Sequence, residues 1–223
     1  MKKKERSAFL IAGVLLAAFV LWTALVRVVD LQAIGPNESV VGFSTLNGAF
    51  HHLTGVHMFL YDATDLLSVI PLGIIAGFGL LGLVQLIRRK SLFKVDRSIL
   101  VLGGFYVVVL AVFFLFEVLA VNYRPVLIEG VLEASYPSST TMLVLCVMPT
   151  AMLQLYDRIR NAAVRVSLLS VMGVFTAFML IGRVISGVHW LTDIIGGILL
   201  SAGLVLLYVA TCSAVTPEDT ESK

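Results

Sequence analysis

Apolar residues fall along the chain in long, nearly uncharged runs, at about 8–26, 65–87, 98–121, 139–156, 164–182 and 190–212. Each run is close to the ~20 residues that a helix needs to cross the hydrocarbon core of a bilayer. The pattern predicts an all-α, polytopic membrane protein with six transmembrane helices, forming one membrane domain over residues 1–223. The first run follows Lys2, Lys3, Lys4 and Arg6, as in a secretory signal. It exceeds the apolar stretch of such a signal and lacks a clean small-residue cleavage site, so it is read as the first span. The longest polar interval runs from Asp30 to Tyr61. Gly35-Pro36-Asn37-Glu38 marks a turn there. Beyond it Phe43, Leu46, Phe50, Leu53, Val56 and Leu60 recur at helical spacing, which predicts an amphipathic helix lying in the outer interface.

Composition supports this reading. The chain is 59% hydrophobic and 13% charged, and its mean hydropathy is +0.99; soluble domains carry about a quarter charged residues. A net charge of +2, with no basic stripe interleaved with aromatics, argues against a nucleic-acid partner. Cys146 and Cys212 lie in apolar runs and imply no disulfide framework. No internal repeat is visible, which counts against an inverted-repeat transporter.

The basic residues set an orientation. Lys2 to Arg6, the group Arg88, Arg89, Lys90, Lys94 and Arg97, and the group Arg158, Arg160 and Arg165 occupy alternate loops. By the positive-inside rule these segments are cytoplasmic, as is the tail Thr216 to Lys223. The opposite face holds three arginines, of which Arg27 ends a helix. Arg124 and Arg183 break the asymmetry and call for another explanation.

Three stretches on that face carry chemistry. In Asn122-Tyr123-Arg124-Pro125, the proline biases Arg124 away from helical geometry and marks the end of the third span. Arg124 presents a planar fork suited to phosphate or carboxylate, or snorkels to a lipid headgroup. Tyr136-Pro137-Ser138-Ser139-Thr140-Thr141 precedes the fourth span; it is either plain N-capping or an anion site made by free backbone N–H groups and hydroxyls. The third stretch, Gly182 to Asp193, contains Arg183, His189 and Asp193 between two apolar runs, where ionisable residues are costly and usually functional. His189 and Asp193 are four apart and would share one face of a helix, with the carboxylate fixing the tautomer of the imidazole. An Arg–Asp ion pair closing a helical hairpin is the structural alternative. Metal binding at His51, His52 and His57, or at His189 and Asp193, lacks a full ligand set. Taken together, two arginines, a helix N-terminus and an oriented histidine point to an anionic substrate and a nucleophile, as in phosphoryl transfer.

These residues resemble the type 2 phosphatidic acid phosphatase family of membrane lipid phosphatases. Its pattern is Lys-x6-Arg-Pro, then Pro-Ser-Gly-His, then Ser-Arg-x5-His-x3-Asp. Arg124-Pro125, Pro137-Ser138 and Arg183-x5-His189-x3-Asp193 match in order and spacing. The resemblance covers about residues 60–212 and implies a phosphatase-like core there. It implies His189 as nucleophile forming a phosphohistidine, Asp193 orienting it, and Arg124, Arg183, Ser138 and the Ser139 N–H holding phosphoryl oxygens. The expected substrate is a lipid phosphate or polyprenyl diphosphate, with membrane lipids as surroundings and no cofactor or metal. Four positions depart from the pattern: Glu117 for lysine, Ser139 for glycine, Thr140 for histidine and Gly182 for serine. The family histidine at the position of Thr140 protonates the leaving group. Either the leaving group is itself a phosphate, or Glu117, Glu129 or Glu133 supplies the proton, or the protein is an inactive relative that binds a lipid or a partner.

Overall fold

The computed structural model describes residues 3–215. The tail Thr216 to Lys223 and Lys2 lie outside the described residues. The chain forms α1 (Lys3–Val26), α2 (Ser44–Thr54), α3 (Met58–Leu67), α4 (Val69–Arg89), α5 (Arg97–Val118), α6 (Ser139–Arg158), α7 (Ala162–Ile185) and α8 (Leu191–Val215). Among the described residues six helical segments are long and apolar enough to span a membrane; α3 and α4 together, Met58–Arg89, make the second. That span starts earlier than the hydropathy run because Asp62 and Asp65 sit in its first turns.

The core is built around α6 and α8. One side of α6 packs Val144, Met148 and Ala151 against Met172 and Met179 of α7. Another packs Met142, Leu143, Cys146 and Val147 with Leu102, Phe105 and Tyr106 of α5 and Leu200, Leu204 and Tyr208 of α8. α1 lies along α8, close enough that a Cβ on Gly203 would fall 2.8 Å from the Leu16 side chain. Trp22 of α1 donates to the Thr192 carbonyl (3.1 Å), and Thr23 shares a hydrogen bond with the Tyr136 hydroxyl (2.7 Å).

α2 stands where an amphipathic helix was expected, with its polar side turned to the protein. Leu53 is exposed while Ser44 and Asn47 are buried. Asn47 donates to Thr192 Oγ1 (2.9 Å) and accepts from the Thr192 N–H (3.2 Å). A polar side chain buried this way must keep its partners, since an unsatisfied amide costs about 1–3 kcal/mol. This anchors the first long loop on the N-terminus of α8.

Candidate active site

α5 and α7 end, and α6 and α8 begin, at one end of the bundle, and the charged residues meet there. α5 stops at Val118, short of Arg124. Residues 122–135 instead form a narrow hairpin, bridged at Tyr123–Ala134 and Ile128–Val131. Arg124 N donates to the Glu133 carbonyl (3.0 Å) and Ser135 N to the Asn122 carbonyl (2.9 Å). Hairpin pairing thus holds Arg124, rather than the helix end expected from Pro125. Glu117 and Arg124 consequently do not share a helix face. Arg124 pairs with Glu133, Nε to Oε2 3.0 Å, in an ion pair whose angles do not make a hydrogen bond. Glu117 is exposed and lines a small pocket with Ser139, Ser135 and Tyr136, between α5 and the start of α6. Glu129 is exposed near the hairpin tip.

His189 and Asp193 are not on one helix either. α7 ends at Ile185, and Ser186 to Trp190 form a loop before α8. Gly187 makes that loop possible: its φ is +68°, and a Cβ there would lie 1.9 Å from the Gly55 carbonyl oxygen. Local spacing could not distinguish this from a continuous helix, because both place residues four apart near one another.

The loop sets the histidine in one orientation. His189 Nδ1 lies 3.2 Å from the Ser135 carbonyl oxygen, which only accepts, so Nδ1 carries the proton. Nε2 then offers its lone pair, and it faces Arg124 Nη1 at 3.4 Å. The Asp193 carboxylate is 3.8 Å from Nδ1, too far for a hydrogen bond. Asp193 instead accepts from the Trp190 N–H (3.0 Å) and from Asn122 (3.4 Å), fixing the loop behind the ring. Burial, then the charges of Arg124 and Arg183, push the pKa of His189 well below 6.5, partly opposed by the bond to Ser135. The imidazole is neutral at neutral pH, the form a nucleophile needs.

Arg183 is 1% exposed. Its Nη2 pairs with Asp65 Oδ1 (2.8 Å) and also donates to Thr140 Oγ1. Nε and Nη1 have no hydrogen-bond partner among the described residues. The Tyr61 ring lies against both arginines, its centre 5.0 Å from the guanidinium carbon of Arg183 and 5.5 Å from that of Arg124. An aromatic face so placed attracts each cation and offsets part of their mutual repulsion. Ser138 is buried, accepts from Thr141 (3.0 Å) and donates its N–H to the Asp193 carbonyl (3.1 Å).

The structure therefore brings Arg124, Arg183, Thr140, His189, Asp193 and Ser138 together, and sets Glu117 and Ser139 at the neighbouring pocket. It adds Tyr61, Asp65 and Ser135, and places Glu133, one of the candidate proton sources, in an ion pair with Arg124. Asp65 lies at the start of an apolar run, and the rule that singled out Arg183 applies to it equally. Ser135 acts through its carbonyl, which any residue supplies, so it left no signal. Gly182 has a physical reason to lack a side chain: a Cβ there would sit 2.7 Å from Thr64 Cγ2, where α3 crosses α7. Of the outer histidines, His51 contacts the Gly187 carbonyl (3.1 Å) and the Trp190 ring, and His57 contacts the Thr54 carbonyl (2.9 Å).

A buried histidine whose Nε2 faces an arginine, with a second arginine close by at one end of a six-helix membrane bundle, is an arrangement suited to an anion and to nucleophilic attack. The model of the PAP2 superfamily matches residues 122–216, the segment running from the arginine hairpin through α8. That match supports a place in the superfamily for this segment. The fold of the chain matches the crystal structure of the first transmembrane PAP2 type phosphatidylglycerolphosphate phosphatase from Bacillus subtilis, with a TM-score of 0.60 and 19% sequence identity. The match covers 92% of this chain and 97% of that one. No match to a curated protein sequence was found.

Proposed function

We propose that the protein is a membrane lipid phosphatase acting on a lipid phosphate or polyprenyl diphosphate through a phosphohistidine. The observation that carries this is the His189 ring, with Nδ1 hydrogen-bonded to the Ser135 carbonyl and Nε2 facing Arg124. His189 Nε2 attacks phosphorus and the bond to the leaving oxygen breaks. Water then attacks the phosphohistidine, the P–N bond breaks, and inorganic phosphate leaves. Arg124, the free Nε and Nη1 of Arg183, Ser138 and the Ser139 N–H hold the phosphoryl oxygens; such fixed donors stabilise charge that grows in the transition state. Asp193 keeps the loop behind His189 in place. The basic loops at the other end of the bundle support cytoplasmic termini and an extracytoplasmic site.

Thr140 favours a second reading, a lipid-binding relative without turnover, because threonine is a poor proton donor at neutral pH. The two readings separate in one assay: phosphate release by purified protein in detergent from monoester and diphosphate lipids side by side. Turnover that His189→Ala abolishes supports the phosphatase. Binding without release, or release indifferent to His189→Ala, contradicts it. If the leaving group is a phosphate, Thr140→His raises monoester turnover more than diphosphate turnover; equal effects count against that substrate class.

A further inference from the structure

The acidic residues near the site differ in their access to a proton in transit. Asp193 is fully buried and committed to Trp190 and Asn122. Glu133 is paired to Arg124 on the hairpin side. Glu117 lines the separate pocket beside Ser139, and Glu129 is near the hairpin tip. Asp65 differs from all four. Its Oδ1 and the hydroxyl of Thr140 are bonded to the same nitrogen, Arg183 Nη2, which sets the carboxylate beside the position where the family has its histidine. Its other oxygen has no hydrogen bond among the described residues, and its side chain is 56% exposed. The close crossing of α3 over Gly182 holds it there.

Resting on the phosphatase reading above, we propose that Asp65 is the general base for hydrolysis of the phosphohistidine, in a site specialised for lipid diphosphates. A carboxylate in an ion pair accepts protons and does not donate them. That suits one half-reaction only. In the first, His189 Nε2 bonds to the terminal phosphorus and the P–O bond breaks. Its electron pair leaves with a lipid monophosphate, which needs no proton to depart, so Thr140 in place of an acid is no handicap. In the second, water oxygen bonds to phosphorus while Asp65 takes its proton; the P–N electron pair returns to Nε2 and phosphate is released. Asp65 then passes the proton to solvent. Tyr61, whose ring contacts both guanidiniums, holds the arginines that grip the phosphoryl group through both steps.

The test is a rapid-quench measurement with purified full chain in detergent and farnesyl diphosphate carrying a labelled terminal phosphate. Asp65→Asn keeps an acceptor for Arg183 but cannot take the proton. The expected result is turnover reduced about 10²-fold or more, as for loss of a general base, with phosphorylated protein rising toward one per chain. Turnover reduced without accumulation, or unchanged, overturns the role of Asp65. If Asp65→Asn does not fold, Asp65→Glu keeps the ion pair and displaces the carboxylate. It should show slower turnover with more phosphoenzyme than wild type, and a wild-type partition overturns the proposal. Wild-type protein that releases phosphate independently of His189, or forms no phosphoenzyme, removes the phosphatase reading itself and this proposal with it. Accumulation equally strong with monoester lipids would retain the base but contradict the diphosphate specialisation.

Discussion

The two arginines of the site are held in different ways. Arg183 projects from α7 with its guanidinium almost completely buried, fixed at once by Asp65, Thr140 and the Tyr61 ring. Arg124 stands on a hairpin, pairs with Glu133, whose side chain is 41% exposed, and alone reaches His189. The helix-borne arginine spends its contacts on a carboxylate, a hydroxyl and the ring, all part of the scaffold; the hairpin-borne one, held by a carboxylate and the same ring, spends its third on His189 itself. Preorganised charge stabilises a transition state most, because nothing need rearrange as the reaction proceeds. On the proposed mechanism, Arg183 should therefore carry more of the rate, and Arg124 more of the ground-state grip on phosphate.

Four substitutions sharpen or break that contrast. Arg183→Lys has the largest expected effect: one ammonium cannot keep Asp65, Thr140 and the ring while presenting two further donors. Its kcat should fall about 10²–10³-fold, the loss seen when a fixed transition-state donor is removed. Gly187→Ala should follow, because a methyl group there collides with Gly55 and shifts the loop carrying His189. A displacement of this kind lowers kcat by about 10²-fold, with the melting temperature falling as well. Arg124→Lys should act mainly on KM, by about 10-fold, in line with losing one charge-assisted hydrogen bond. Glu133→Gln should be mildest: the pair is open to solvent on the Glu133 side and is worth little, so KM falls by about fivefold or less as Arg124 is freed. Steady-state kinetics on the four proteins checks the order. Arg124→Lys hitting kcat harder than Arg183→Lys would reverse the contrast.

The same contrast explains what the sequence revealed. Uninterrupted apolar runs disclose spans because the bilayer filters on length and charge, and six were legible. Arg183, His189 and Asp193 were legible because charge is rare between such runs. Helix boundaries were less so. The break at Ser186 to Trp190 depends on the left-handed Gly187, and the hairpin around Arg124 on backbone pairing across Asn122 and Ser135. Asp65 and Tyr61 reach the site only because α3 crosses α7 at Gly182, a contact between residues 118 apart for the Arg183–Asp65 pair. Motif spacing within one segment carries no trace of such a crossing.

On the proposed mechanism, His189 becomes phosphorylated during turnover. Acid-free quenching of the wild-type chain with a labelled lipid diphosphate, followed by peptide mapping, tests it most directly. Phosphate on the ring of His189, absent from His189→Ala, is the predicted result. Phosphate release that proceeds with no modified histidine at any quench time would contradict it.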